Sequence, residues 1–461
     1  MTGDAPPSGR PAEPAPDASP DASPDASPNP SPDSMSPRDA AREVAAALVA
    51  AGYEALFAGG CVRDRLLGRE PDDFDIATDA TPEAIRAVFP KARGVGEAFG
   101  VMLVRHRRHT FEVATFREDG PYHDGRRPSE VRFSDARGDA MRRDFTVNGL
   151  FERPATGEVI DFVGGRADLE AGILRAIGDP HARIREDRLR MLRAVRFAAR
   201  LGFAIDGATA AAIRAHADEL AAVSPERVGD ELRRMLAHAA RARAARLVEE
   251  LGLDGAVFGE RGSAAEGRLA ALDGARLSAV APAETGPWLA PLAAWWLDRI
   301  EPESGRAARP AADTREAAVE TLRARLVLSN HETSRLAAIL ARREEILSAF
   351  AGEGGVAGVA VARRKRLFAS DGFDEALLVT EREAPEAVAA LRTLADRELP
   401  ARRLPPPILD GNALIAAGMR PGPAFKGWLD LALDAQLEGR VSTVSEALEL
   451  VARARDAAAG A

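Results

Sequence analysis

The sequence has little of what several common protein classes need. Its 461 residues include one cysteine, Cys61, and only 5% are aromatic. A single cysteine allows neither an intramolecular disulfide nor a cysteine-cage metal site, and such usage favours a reducing cytoplasm. No apolar run approaches the roughly 18 residues of a membrane-spanning helix, so we expect no membrane segment. Scarce aromatics beside abundant Ala and Arg favour helical packing over a β-sandwich or barrel.

Basic charge is also scarce in the chain as a whole. The formal net charge of -9 argues against a uniformly basic nucleic-acid-binding protein. The segment from Arg183 to Arg200 is different, because it carries seven arginines and two acids. A local basic stripe is therefore expected within an acidic chain.

The order of sequence patterns predicts several regions, as expected for this length. Residues 1–36 are rich in Pro, Ala, Ser and Asp, a composition that predicts a disordered tail. Residues 37–170 alternate helix and strand patterns, which predict an α+β head with a mixed β-sheet. Amphipathic helix patterns then predict an all-α neck (171–240), body (241–395) and tail (396–461), with a proline-rich hinge at LPPP.

Two acidic residues follow soon after a glycine pair. The motif GGCVRD (59–64) precedes DFD, which we predict to lie on a strand. Residues two apart on a strand point to the same face, so Asp73 and Asp75 would project together and could hold Mg²⁺. Metals held in this way activate an attacking hydroxyl and neutralise a leaving pyrophosphate. The alternative is a solvated strand edge, but the neighbouring glycine motif favours a functional site.

The glycine pair itself suits a phosphate group. Gly59 and Gly60 allow the backbone to approach an anion closely, and the next helix would point N–H groups at it. Arg63, one turn into that helix, is placed to clamp a triphosphate. An ordinary tight turn is the other interpretation.

These motifs resemble the head of the class II tRNA nucleotidyltransferase and bacterial poly(A) polymerase family, within the polymerase-β-like nucleotidyltransferase superfamily. The resemblance covers most of residues 50–240 and 400–450. It is carried by GGCVRD, DDFDIATDATPE, VGEAFGVMLV, FEVATFR, RRDFTVNGLF, REDRLRMLRAVRFAARLGF, SPERVGDEL, LPPPILDGNALIAAGMRPGPAFKGWL and DAQLEG. It implies a catalytic nucleotidyltransferase head, a neck that recognises the nucleobase, and a tail that binds tRNA.

The resemblance also implies roles for single residues of the head. Asp73 and Asp75 would be catalytic carboxylates that bind Mg²⁺, and Gly60 and Arg63 would contact the triphosphate. Glu112, on the facing strand, is a candidate third carboxylate, although pairing with a neighbouring arginine is an equal alternative.

RRDFTVNG (142–149) resembles the ribose-recognition motif of the family. Arg143 would contact the nucleotide, and Asp144 would accept a hydrogen bond from the ribose 2′-OH. A salt-bridged helix start is the structural alternative.

The basic stripe contains Glu186-Asp187-x-x-Arg190, which matches the family motif EDxxR. We predict one helix over 185–197, on which Asp187, Arg190 and Arg193 share a face that Arg196 continues. Cytosine and adenine both present an amine donor beside a ring-nitrogen acceptor. A carboxylate and a guanidinium can therefore recognise both bases while rejecting uracil and guanine. By the resemblance, Arg193 and Arg196 also contact the nucleotide.

SPERVGDEL, the next motif, begins with the predicted N-cap Ser224, followed by Pro225 at the first helical position. We predict a structural role for this helix, which would brace the base-recognising segment.

The leading hypothesis is template-independent addition of C, C and A to the tRNA 3′ end from CTP and ATP. The alternatives are poly(A) polymerase activity, addition of CC only or A only, and a non-catalytic RNA-binding scaffold. The C-terminus lacks the basic extension typical of the poly(A) type, which favours the first hypothesis. No feature indicates an obligate protein partner.

Overall fold

The computed structural model describes residues 35–96, 99–120, 131–262, 267–301, 312–349 and 355–459. The predicted disordered tail over 1–36 lies outside the described residues except for Met35 and Ser36. Ser36 belongs to the fold, because its hydroxyl accepts a hydrogen bond from the Asp39 amide and caps the first helix.

A seven-stranded sheet forms the centre of the head, in the order β3-β4-β5-β2-β1-β8-β9. β2 and β5 run parallel, whereas the other neighbouring pairs are antiparallel. The predicted mixed sheet is therefore confirmed. In chain order the strands are β1 (Ala55–Ala58), β2 (Ile76–Thr78), β3 (Arg93–Gly96), β4 (Val101–His106), β5 (His109–Thr115), β6 (Arg117–Asp119), β7 (Val131–Phe133), β8 (Leu150–Glu152), β9 (Val159–Asp161), β10 (Ile173–Leu174) and β11 (Ala204–Ile205).

Short helices cover this sheet. They are α1 (Pro37–Ala50), α2 (Gly60–Leu66), α3 (Pro82–Val88), α4 (Ala136–Met141) and α5 (Gly165–Ala171). α1 and α3 both start with a hydroxyl N-cap followed by proline, a combination that fixes the first turn. Buried side chains of α1, such as Val44 and Leu48, join the same apolar cluster as Phe57 and Ile76 of the sheet.

The rest of the described chain is mainly helical, which confirms the predicted fold class. The helices are α6 (Pro180–Glu186), α7 (Arg190–Leu201), α8 (Gly207–His216), α9 (Pro225–Ala237), α10 (Arg241–Glu250), α11 (Asp254–Phe258), α12 (Arg268–Ala271), α13 (Gly274–Val280), α14 (Leu289–Ile300), α15 (Ala312–Leu326), α16 (Asn330–Ala349), α17 (Val361–Phe368), α18 (Phe373–Thr380), α19 (Pro385–Glu398), α20 (Gly411–Ala416), α21 (Ala424–Leu437) and α22 (Val444–Ala459). Short 3₁₀ turns occur at Thr146–Asn148, Ala217–Ala222 and Val356–Gly358.

The predicted neck is not purely helical. β10 and β11 form a two-residue parallel pair, so the expectation of an all-α neck is wrong in this detail. The amides of Ala204 and Asp206 donate to the carbonyls of Gly172 and Leu174, and this pairing joins the start of the neck to the residues that follow α7.

The apolar cores do not follow every predicted boundary. One cluster runs from Phe145 in the head through the neck to Val379, whereas the cluster of the tail runs from Leu409 to Val451. The bounds proposed at 170, 240 and 395 therefore stay predictions. Among the described residues, no helix combines the length and apolar composition needed to cross a bilayer.

Candidate active site

A polar cleft of about 520 Å³ lies where the turn after β1, the 3₁₀ turn of the head and helix α7 come together. It gathers most of the predicted site residues from the head and the neck. Its lining residues are Gly59, Gly60, Arg63, Asp75, Arg117, Asp119, Arg142, Arg143, Asp144, Asn148, Asp187, Arg190, Arg193 and Phe197. Asp73, Glu112, Glu186 and Arg196 are not among them.

Gly59 makes the turn into the cleft possible. Its φ of +73° lies in the left-handed region, and a Cβ there would stand 2.7 Å from Arg143 Nη1. Its amide donates to the Leu150 carbonyl at 2.9 Å, which fixes the turn against β8. A side chain at this position would therefore be strained and would also displace an arginine of the cleft.

The acidic pair lies just before a strand rather than on it. We predicted a strand over DDFDIAT, but β2 begins only at Ile76. The prediction is wrong at this boundary, although the extended path continues, since the Ala58 amide donates to the Asp75 carbonyl at 3.0 Å. Phe74 is buried between the exposed Asp73 and Asp75, so the two carboxylates lie on the same solvent-facing side.

Glu112 adds a third acid to this pair. Ile76 is paired with Val113 in the parallel register of β2 and β5, which sets Asp75 beside Glu112. Although Asp75 retains solvent access, partial desolvation by the surrounding protein, with repulsion from Glu112 and Asp73, raises its pKa to about 6 despite the attraction of Arg143. In the described ranges, no hydrogen bond or ion pair engages the carboxylates of Asp73, Asp75 or Glu112.

These three acids do not form a complete metal site by themselves. Within the described chain, no group of three or more His, Cys, Asp or Glu residues has an arrangement ready to hold a metal ion. Unpaired carboxylates that repel one another nevertheless match the hard oxygen ligands that divalent cations prefer. Further ligands would have to come from water or from a bound phosphate.

Arg63 is fixed within the wall of the cleft. Its side chain is buried, donates to Asn148 Oδ1 at 2.5 Å, and donates to both carboxylate oxygens of Asp64. Its guanidinium also lies 5.4 Å from the ring centre of Phe197 on α7. Arg63 of the head thus contacts Phe197 of the neck.

Asp144 is also held by neighbouring groups. One oxygen accepts from the Phe145 amide and Asn148 Nδ2, and the other accepts from Nε and Nη2 of Arg193 at 2.9 and 2.7 Å. Burial opposes ionisation, but Arg193 and Asn148 hold the pKa of Asp144 below its usual value. A ribose hydroxyl would have to share or replace one of these donors, so the predicted contact stays a prediction.

The segment 185–197, predicted to recognise the base, is divided between two helices. α6 ends at Glu186, Asp187 adopts an extended conformation (φ -147°, ψ 106°), and α7 starts at Arg190. The prediction of one helix over 185–197 is therefore wrong. Asp187 accepts from the Leu189 amide, and its two oxygens accept from Arg227 at 3.2 and 2.8 Å.

Arg190 still faces the same cleft as Asp187. Its Nη1 donates to Glu186 at 2.5 Å and to the Arg183 carbonyl, and its Nη2 donates to the Arg142 carbonyl. Glu186 thus binds Arg190 but does not itself line the cleft.

Arg196 does not line the cleft and instead contacts helix α9. It donates to the buried Glu231 of α9 at 2.5 Å and lies 4.3 Å from the ring centre of Phe197. This geometry does not support the predicted nucleotide contact of Arg196. The two ion pairs made by Arg227 and Glu231 match the bracing role that we predicted for SPERVGDEL. Ser224 occupies the N-cap position of α9, but its hydroxyl makes no capping hydrogen bond.

Two family models match parts of the chain. "Poly A polymerase head domain" matches residues 55–175, and "Probable RNA and SrmB- binding site of polymerase A" matches residues 202–260.

Curated relatives match about half of the chain. The CCA-adding enzyme of Geobacillus stearothermophilus is 43% identical over 240 residues, covering 52% of this chain and 56% of the relative. That of Bacillus subtilis (strain 168) is 42% identical over 194 residues, covering 42% and 49%. The chain therefore spans about half the length of the curated relatives that it matches.

Solved structures match the fold over a longer range. The CCA-adding enzyme of Bacillus stearothermophilus in complex with CTP has a TM-score of 0.70 and 29% identity, covering 93% of this chain and 100% of that chain. The Thermotoga maritima enzyme complexed with tRNA shares the fold, with a TM-score of 0.60 and 19% identity over 90% of this chain and 94% of that chain. Residues 55–175 thus match the poly A polymerase head-domain family, and the chain shares the fold of solved CCA-adding enzymes. Nucleotidyltransferases of this family generally use a divalent metal.

The cleft also contains residues that the sequence patterns did not single out. Arg142, Asn148 and Phe197 lie inside the quoted motifs RRDFTVNG and REDRLRMLRAVRFAARLGF. Their closeness in sequence to the predicted site residues could have indicated them. Arg117 is the last residue of FEVATFR, Asp119 lies two residues after it, and both belong to β6.

Proposed function

We propose that this nucleotidyltransferase adds C, C and A to the 3′ end of tRNA from CTP and ATP, without a template and with release of pyrophosphate. One observation carries the proposal. Asp75 of the head and Asp187 and Arg190 of the neck line the same cleft, so phosphate chemistry and base recognition can act on one bound nucleotide. The names of the relatives support the same activity.

In this proposal the head holds the triphosphate. Gly59 and Gly60 bring the backbone close to the anion, and Arg63 and Arg143 oppose its charge. Both guanidiniums are already fixed by neighbouring groups, so little ordering is needed when the nucleotide binds. Catalysis then consists mainly of positioning and charge neutralisation.

The neck would recognise the base. The Asp187 carboxylate accepts from the exocyclic amine of cytosine or adenine, and Arg190 donates to the adjacent ring nitrogen. Arg227 sets the plane of the Asp187 carboxylate, since it binds both oxygens. Arg193 and Asp144 lie beside them and complete the wall that faces the sugar.

We propose Mg²⁺ as the metal, with Asp73 and Asp75 as its ligands and Glu112 as an additional carboxylate. The donor set fits, because these three carboxylates lack ion-pair partners among the described residues. Burial and repulsion from Glu112 and Asp73 raise the pKa of Asp75. When bound, Mg²⁺ would activate the attacking 3′-hydroxyl and neutralise the leaving pyrophosphate.

The proposed partners are the tRNA 3′ end, CTP and ATP. Residues 37–170 would act as the catalytic head, 171–240 as the base-recognising neck, 241–395 as the body, and 396–461 as the tRNA-binding tail. We also propose a cytoplasmic location, on the basis of the cysteine usage noted above.

Purified full-length protein should be incubated with a tRNA transcript that lacks its CCA end. CTP alone should add two residues, and CTP with ATP should add one CCA triplet and then stop. A transcript that already ends in CC should accept one A. A long A ladder would instead identify a poly(A) polymerase, arrest after CC or refusal of C would identify a partial activity, and RNA binding without incorporation would identify a scaffold.

A further inference from the structure

A buried carboxylate outside the predicted site binds two arginines of the cleft. Asp139 on α4 is 1% exposed. One of its oxygens accepts from Nε and Nη2 of Arg142 at 2.8 and 2.6 Å. The other oxygen accepts from Nε and Nη2 of Arg143 at 3.1 and 2.9 Å. Each guanidinium is therefore held by two hydrogen bonds.

Both arginines line the cleft, whereas Asp139 does not. Arg143 is further fixed because Nη1 donates to the Asn148 carbonyl at 3.2 Å and the guanidinium lies 5.1 Å from the ring centre of Phe151. A guanidinium has five N–H groups, so N–H groups remain for an anionic ligand. An arginine that is already ordered loses less side-chain freedom when it binds that ligand.

We propose that Asp139 is a positioning residue that fixes Arg143 and Arg142 in the orientation that receives the triphosphate of the incoming nucleotide. This inference rests on the proposed function. Asp139 does not touch the nucleotide and acts only through the two arginines.

The carboxylate is ionised when the enzyme works. Burial tends to raise the pKa of Asp139, but the guanidiniums of Arg143 and Arg142 more than offset this and hold it below its usual value. The orienting bonds are therefore present at neutral pH.

The direction of the change in CTP binding distinguishes a positioning role of Asp139 from a simple effect of its charge. A negative charge near a triphosphate repels it, so a variant that only removed this charge would bind CTP more tightly. A variant that frees the arginines would bind CTP more weakly. Asp139→Asn removes the charge and the charge-assisted bonds while nearly conserving size.

The matched control is Asp135→Asn at the start of the same helix. Asp135 is exposed and caps α4 by accepting from the Gly138 amide at 2.9 Å, a role that asparagine also fills. The control makes the same change of charge without touching either arginine bond.

CMP incorporation into a tRNA transcript lacking CCA should be measured against CTP concentration for both full-length variants. We expect Asp139→Asn to raise the KM for CTP by roughly tenfold with kcat within about threefold, because binding rather than chemistry is affected. Asp135→Asn should match the wild type. An unchanged or lower KM for Asp139→Asn would overturn the inference.

A double-mutant cycle with Arg143→Gln covers the case in which Asp139→Asn is less stable. If Asp139 acts through Arg143 and Arg142, adding Asp139→Asn to Arg143→Gln should raise KM by a smaller factor than it does in the wild type, whereas fully additive effects would overturn the inference. Absence of incorporation by the wild type would overturn the proposed function and this inference with it. Wild-type incorporation with a normal KM in Asp139→Asn would overturn the inference alone.

Discussion

At the scale of single residues, the side chains of the cleft hold one another in place. Arg63 donates to Asn148, Asn148 donates to Asp144, and Asp144 accepts from Arg193. This chain of bonds runs from the glycine turn of the head to helix α7 of the neck. Changes at these positions are expected to be coupled rather than additive.

Gly59→Ala is expected to destabilise the protein by about 1–2 kcal/mol and to weaken nucleotide binding. The backbone strain arises from φ +73°, and the new Cβ would lie 2.7 Å from Arg143 Nη1. Gly68 is the matched control, since it has φ +70° with nothing within 4 Å of a Cβ. Thermal unfolding should show a loss for both variants, but the KM for CTP should rise only for Gly59→Ala. An equal KM in the two variants would contradict the contact with Arg143.

Asp187→Asn is expected to lower the preference for CTP over UTP by roughly ten- to a hundredfold, corresponding to ~1–3 kcal/mol. An amide can turn its NH₂ toward the carbonyl oxygen of uracil, which a carboxylate cannot do. The ratio of kcat/KM for CTP and UTP measures this preference. Asp179→Asn, at the start of α6, keeps its capping role and should keep the ratio. A ratio unchanged in Asp187→Asn would remove Asp187 from base recognition.

At the scale of elements, sequence periodicity predicted the helical half of the chain but missed the interruption between α6 and α7. The segment around Asp187 has helical spacing, yet Asp187 itself is extended and separates α6 from α7. Its carboxylate accepts from the Leu189 amide and pairs with Arg227 of α9. That partner lies 40 residues away in sequence, so no local pattern reveals it. The alternation of DFD did predict that Asp73 and Asp75 share a side, although the strand is shorter than expected.

The ion pair between Asp144 and Arg193 joins the head to helix α7, and its contribution to stability should depend on pH. The pKa of Asp144 is lowered in the folded protein from an ordinary value of 3.8. The stabilisation is therefore complete well above pH 3.8 and is lost as the pH falls below that value through the folded pKa. We expect Asp144→Asn to cost about 1–3 kcal/mol at pH 7.

The difference in thermal midpoint between the wild type and Asp144→Asn should shrink as the pH falls below 3.8. Midpoints measured at intervals from pH 7 to about pH 3 check this expectation. A constant difference over that range would show that the lost bonds do not depend on the ionised carboxylate.

At the scale of the whole molecule, the family resemblance and the alternation of patterns predicted a mixed sheet followed by helices. They did not predict that the neck and body share one apolar core, because packing between distant helices leaves no periodic signal. The net charge of -9 also does not indicate that one wall of the cleft is basic. Arg63, Arg143 and Arg190 of this wall come from distant parts of the chain. Folding creates this local charge.

We propose that Asp73 and Asp75, just before β2, are required for nucleotide transfer at the cleft that the neck arginines complete. Incorporation of radiolabelled CMP into a tRNA lacking CCA should be measured for Asp73→Asn, Asp75→Asn and the control Asp72→Asn. The side chain of Asp72 is 90% exposed, and Asp72 immediately precedes Asp73 in the sequence. We expect both test variants to lose at least a hundredfold in rate, about 2.7 kcal/mol of barrier, with unfolding midpoints near that of the wild type. Rates for Asp73→Asn and Asp75→Asn equal to that of Asp72→Asn would contradict the proposal.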